Sequence, residues 1–163
     1  MTAPEALTFD SLCNDIESYV ERHDAEFVAQ IPRIIMLAEN RLALEANGLG
    51  TVNVAKSKFT ASNAVVKKPE RWRQTRSIFY AKPSGELVYL KPRKYEYCRI
   101  YSAGEPAGFP EYYADYDYSN LFLAVAPSGA FEFEMSYHER PDPLSDAMQV
   151  NWTTRNAPQL LLY

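Results

Sequence analysis

No stretch of this 163-residue chain approaches the ~20 consecutive apolar residues that a bilayer-spanning helix requires. Glycine is scarce, with 6 residues, and large apolar side chains recur from end to end, which excludes collagen-like, low-complexity and largely disordered classes. The two cysteines, Cys13 and Cys98, are far apart, so neither a disulfide framework nor a thiolate metal spacing is present. Residues 1–6 hold neither the basic nor the apolar part of a secretory leader, and a reducing compartment is the expectation. Histidine is nearly absent: His23 and His138 are the only two. There is no His-Glu-x-x-His, no paired cysteine motif and no Gly-x-Ser-x-Gly.

What is present is a globular composition, 47% apolar and 23% charged, sufficient for one packed domain or a domain with one sizeable insertion. Tyrosine leads an aromatic-rich complement, with 12 residues. The net charge of −4 conceals an uneven layout. Residues 1–55 carry nine acids against three arginines, a net of −6. Residues 56–99 carry twelve Lys/Arg against three Glu, a net of +9, and residues 100–163 nine acids against two arginines, a net of −7. A near-neutral total argues against a dedicated DNA binder, whereas a basic middle block is expected to generate a local field. That block reads either as a solvated face or as a surface for nucleic acid or for a matched protein contact.

The periodicity divides the chain. Phe9, Leu12, Cys13, Ile16, Tyr19 and Val20 share one face of a 3.6-residue repeat, with Thr8 as the expected N-cap. A second helical face, Phe27, Ile31, Ile34, Ile35, Ala38 and Leu42, follows Asp24, with a kink or restart at Pro32 and a stop at Asn47-Gly48. Strands are expected over 51–60, 71–81, 86–90, 121–125 and 131–138, with the last two joined as a hairpin around Pro127-Ser-Gly129. Residues 93–101 suit a short helix. Phe131, Phe133, Met135 and Tyr137 alternate with Glu132, Glu134, Ser136 and His138, which places His138 on a solvent-facing side. Asn156 is the expected cap of a last helix that begins at Ala157-Pro158 and breaks off at Tyr163, as a truncated element would. The fold class expected is α+β: an N-terminal antiparallel helix pair belonging to a helical bundle, a mainly antiparallel β insertion, then the start of a C-terminal helix. In residue terms these are 1–50, 51–153 with its short helix near 93–101, and 154–163.

No catalytic, cofactor or metal set emerges. Gly48-Leu-Gly50 follows no strand and is a helix stop, not a phosphate loop. Asp115 and Asp117 supply too few oxygens for a hard cation. One block does interleave base with aromatic: Lys67, Lys68, Arg71, Trp72, Arg73 and Arg76. Single-strand binders use such pairs, stacking bases on Trp while cations hold phosphate, and the same residues suit an interface with a neighbouring subunit. A strand with one buried Trp and several solvated arginines has the same pattern.

Five strings carry a resemblance. They are Glu26-Phe-Val-Ala-Gln-Ile-Pro-Arg-Ile-Ile-Met-Leu-Ala-Glu-Asn-Arg-Leu42, Lys68-Pro-Glu-Arg-Trp-Arg-Gln-Thr75, Tyr95-Glu-Tyr-Cys-Arg99, the stretch 110–118, and Asn156-Ala-Pro-Gln-Leu-Leu-Leu-Tyr163. In this order, over nearly the whole chain, the sequence resembles the head-to-tail adaptor proteins of tailed bacteriophages, of the tail tubular protein A type. The resemblance implies a structural protein of the virion neck, assembled in the host cytoplasm. It implies a ring, commonly of twelve copies, between portal and tail nozzle, with DNA passing through without sequence-specific binding. It also implies a helical bundle completed by helices beyond Tyr163. The alternative left by the residues themselves is a nucleic-acid-binding module built on 67–76.

Overall fold

A computed structural model describes residues 7–45 and 51–161. The chain divides into two compact units, Val52–Glu139 and a second that joins the N-terminal segment through Thr51 to Arg140–Tyr163.

In the helical unit, α1 spans Phe9–Val20, α2 Ala25–Val28 and α3 Ile31–Glu45. Thr8 caps α1 reciprocally: its Oγ1 accepts the Ser11 N–H at 3.1 Å, and Ser11 Oγ accepts the Thr8 N–H at 2.9 Å. Asp24 caps α2 by accepting the Phe27 N–H at 3.1 Å. The chain restarts at Ile31, so Pro32 lies in the first turn of α3, where its missing N–H has no partner to lose. The stop at Asn47-Gly48 lies outside the described residues.

Phe9, Leu12, Ile31, Ile35 and Leu144 form this unit's core, with Ile16, Phe27 and Leu161 against it. The α1 face is narrower than its periodicity predicts. Tyr19 is 90% exposed and Val20 44%, because the core contact ends near Ile16. Ile34 on α3 is likewise exposed.

The last helix, α5 (Trp152–Asn156), starts earlier than its expected cap. Asn151, not Asn156, is the N-cap: its Oδ1 accepts from Thr153 and Thr154 N–H, and Thr154 Oγ1 accepts the Asn151 N–H. Asn156 instead donates to the Trp152 carbonyl, and a 3₁₀ turn over Pro158–Leu161 follows.

The β unit holds eight strands in two four-stranded sheets. In the first, β1 (Val52–Lys58), β8 (Glu132–Glu139), β3 (Trp72–Ala81) and β4 (Leu87–Tyr89) lie side by side in that order, all antiparallel. In the second the order is β2 (Val65–Lys67), β7 (Asn120–Leu123), β6 (Tyr112–Asp115) and β5 (Lys91–Pro92). The pair β5–β6 is parallel. Strands β2 and β5, of 3 and 2 residues, are too short to show a periodicity.

Both sheets contribute to one core, which includes Ile78, Tyr80, Phe133, Met135 and Tyr137 from the first and Val66, Tyr113, Leu121 and Leu123 from the second. Phe59 stacks on Phe133 at 4.6 Å within it. Helix α4 (Tyr95–Tyr101) covers the other side of the second sheet, burying Cys98 against Ala114, Phe122 and Ala124. The chain is therefore α+β, with helices, then mainly antiparallel sheet, then a C-terminal helix.

One of two expected hairpins changes. The β3–β4 hairpin forms as expected, turned by Gly85 at φ 84°. The hairpin expected around Pro127 does not form: β7 pairs with β2 and β6, while β8 crosses to the other sheet between β1 and β3. The physical reason is shape, since Leu121 and Leu123 must face Met135 across the core, not lie beside it. Tyr80 is 1% exposed and its hydroxyl has no hydrogen-bond partner among the described residues, and burial pushes that hydroxyl up to about 12.

Candidate interface residues of the β unit

The six basic and aromatic residues singled out by sequence sit in and before β3, and the structure separates them by role. Lys67 is exposed at the end of β2. Lys68, its neighbour, is 5% exposed. The Lys68 ammonium donates to the Asp117 carbonyl at 2.8 Å, pairs with Asp115 Oδ1 at 2.8 Å, and lies 3.6 Å from the centre of the Trp72 ring. Trp72 packs against the sheet core, and its Nε1–H donates to Thr75 Oγ1 at 3.0 Å. The Lys68 ammonium, one face of the Trp72 ring and the Trp72 N–H are thus engaged within the chain.

The three arginines owe their positions to irregular backbone. Arg71 has φ 55°, a left-handed conformation at the entrance to β3, and its guanidinium meets Glu139 at 2.8 Å. Against β8, the register slips between Trp72 and Gln74 and again between Thr75 and Ser77. Arg73 and Arg76 are the residues inserted at these two bulges. The insertions let Trp72 and Thr75 meet on one side, while the arginine charges reach His138.

His138 corrects the expectation of a solvent-facing side chain, being 7% exposed. Its strand is central, flanked by β1 and β3. Burial first, then the Arg73 and Arg76 charges, lower the His138 pKa below the ordinary 6.5. A depressed histidine contributes stability above pH 6.5 that is lost as pH falls through its folded-state value. We therefore expect denaturant unfolding of the chain to show lower stability at pH 5.5 than at pH 7.5, and His138→Gln to flatten that difference. An equal slope in the variant would remove His138 as its source.

Strand pairing also neutralises much of the basic block. Lys56 meets Glu134 at 3.3 Å, Lys58 meets Glu132 at 3.1 Å, and Lys68 and Arg71 take acids from beyond residue 100 as well. Counted over Val52–Glu139, twelve cations face ten acids, a net of +2 and not +9. The linear blocks overstated the field because the acidic partners arrive 47 or more positions later, on neighbouring strands and turns.

Two groups escaped sequence reasoning. Glu39 is 9% exposed on the inward face of α3, in line with Ile31, Ile35 and Ala43. Its Oε2 accepts the Leu144 N–H at 3.0 Å and its Oε1 the Asn151 amide at 2.6 Å, and burial raises its pKa above 4.5. An acid spaced at i+4 and i+8 from two core isoleucines was the available signal. The other is an aromatic group at α4: Tyr97, Tyr101 and Tyr112 pack with ring centres 5.3–6.1 Å apart, and Arg93 lies over Tyr112 and Tyr97 at 5.3 and 5.9 Å.

Among the described residues no group of three or more His, Cys, Asp or Glu is placed to hold a metal ion, and no helix is long and apolar enough to cross a membrane. No curated protein matches the chain. The family model of the SU10 adaptor protein does, over residues 7–163, which takes in the helical unit, both sheets and α5 alike. A sequence that matches that model through every element described here belongs to the SU10 adaptor proteins, a family of phage head-to-tail adaptors.

Proposed function

We propose that this chain is a structural component of the virion neck, assembling as a ring, expected at twelve copies, between the portal and the tail nozzle. It acts by docking and not by catalysis, and DNA traverses the ring without sequence-specific contact. In this reading α1 and α3 are the antiparallel pair of a bundle, and the β unit is an insertion in its chain. The observation that carries the reading is the family match over residues 7–163.

The alternative, a nucleic-acid-binding module on 67–76, has less to support it. Lys68 is buried on Asp115, one face of Trp72 is taken by that ammonium, and Arg71 is paired with Glu139. Lys67 and Arg76, both exposed, remain the candidates of that block for contact with neighbours or DNA.

The test is binding of the purified chain to DNA-filled, tailless heads, followed by pelleting and electron microscopy. Density seated at the portal vertex is expected. Heads that stay bare, together with tight, salt-dependent retention of single-stranded DNA on a filter, would replace the adaptor reading by the alternative.

A further inference from the structure

The chain carries two exposed tyrosine surfaces of opposite charge, one on each unit. On the helical unit Tyr19 is 90% exposed, with Asp15 one turn before it and Glu21 just after. Residues 10–26 hold six acids against Arg22 as the one full cation. Arg22 is spent on Asp24 and His23 on Glu17, while Asp15 and Glu21 have no cationic partner among the described residues.

On the β unit, Tyr97, Ile100 and Tyr101 are 44%, 78% and 40% exposed along α4. Residues 91–99 hold four cations against one acid, Glu96. Lys91, Arg93 and Lys94 are exposed, and none has a carboxylate partner among the described residues, in contrast to the laddered lysines of β1. Glu105 and Glu111 lie near enough to Tyr101 to act on its hydroxyl, and the Glu111 carbonyl accepts the Lys91 N–H at 2.9 Å, so this surface has an acidic margin beside its cations.

We propose that these are the two halves of one contact between copies: the Asp15–Tyr19–Glu21 surface of one subunit seats on the Lys91–Lys94 and Tyr97–Tyr101 surface of the next. Exposed tyrosine and arginine are the side chains that anchor interfaces, and opposite charge selects the partner surface. Because the halves differ, the contact is head-to-tail and propagates from copy to copy, closing into a ring if the rotation permits. The inference rests on the self-assembly part of the adaptor reading and names its surfaces.

The test uses the whole chain in two charge-reversed forms, Asp15→Lys/Glu21→Lys and Lys91→Glu/Lys94→Glu, all at exposed positions. Self-association is followed by sedimentation velocity and native mass spectrometry at low salt, with thermal unfolding to verify that both forms fold. Each form alone is expected to associate at least tenfold more weakly than wild type. An equimolar mixture is expected to recover association, since every contact then joins either two native halves or two reversed ones.

Wild type that stays monomeric up to millimolar concentration overturns the proposal. So does undiminished association of both variants, or a mixture that fails to recover. If a variant does not fold, the single changes Asp15→Lys and Lys94→Glu carry the same comparison. A chain that binds heads but ignores the charge reversals keeps the adaptor reading and loses this contact. A chain that obeys them but never binds heads does the opposite.

Discussion

Lys68→Glu is expected to destabilise the β unit by about 3–5 kcal/mol, because it puts an uncompensated carboxylate where a buried ammonium had a carboxylate and a carbonyl as partners. Lys67→Glu, one position earlier on an exposed site, is expected to stay within about 0.5 kcal/mol of wild type. Lys68→Met retains the apolar stem that packs beside Trp72 and leaves Asp115 69% exposed to water, so it is expected to cost less than half as much as the glutamate. Denaturant titration of the three variants at one pH reads the order directly. Equal effects at 67 and 68 would mean that Lys68 is solvated and its contact with Asp115 dispensable.

Glu39→Ala is the second large effect, expected at about 2–4 kcal/mol, because it strands the Leu144 N–H and the Asn151 amide in a buried place. Glu39→Gln keeps one acceptor and is expected to cost about half of that. The pH dependence has its own sign. Burial holds the Glu39 carboxyl above 4.5, so its contribution is fully present below pH 4.5 and diminishes as pH rises through the raised value. The gap between wild type and Glu39→Gln should therefore widen as pH falls from neutrality. A gap that narrows would show that the carboxylate form is the favoured one in the folded chain.

Sequence alone disclosed what is periodic. The alternation over 131–138 put Phe133, Met135 and Tyr137 inside and Glu132 and Glu134 outside, as the structure has them. The capping chemistry of Thr8 and Asp24 was equally local and equally readable. What escaped depends on partners distant along the chain. A buried Lys68 requires Asp115 and Asp117, a buried Glu39 requires Leu144 and Asn151, and His138 is buried although it alternates as an outward residue should. The two bulges of β3 were also invisible, since an inserted residue is defined by the strand opposite it and not by its own identity.

The β unit begins and ends on neighbouring antiparallel strands, with Val52 opposite His138 at its mouth. Tension applied through its two connections would therefore load the β1–β8 ladder at its open end, one hydrogen-bonded pair after another. Such a ladder unzips at low force; it does not share the load as strands pulled lengthwise past each other would. The inserted sheets are mechanically a clasp, not a cable.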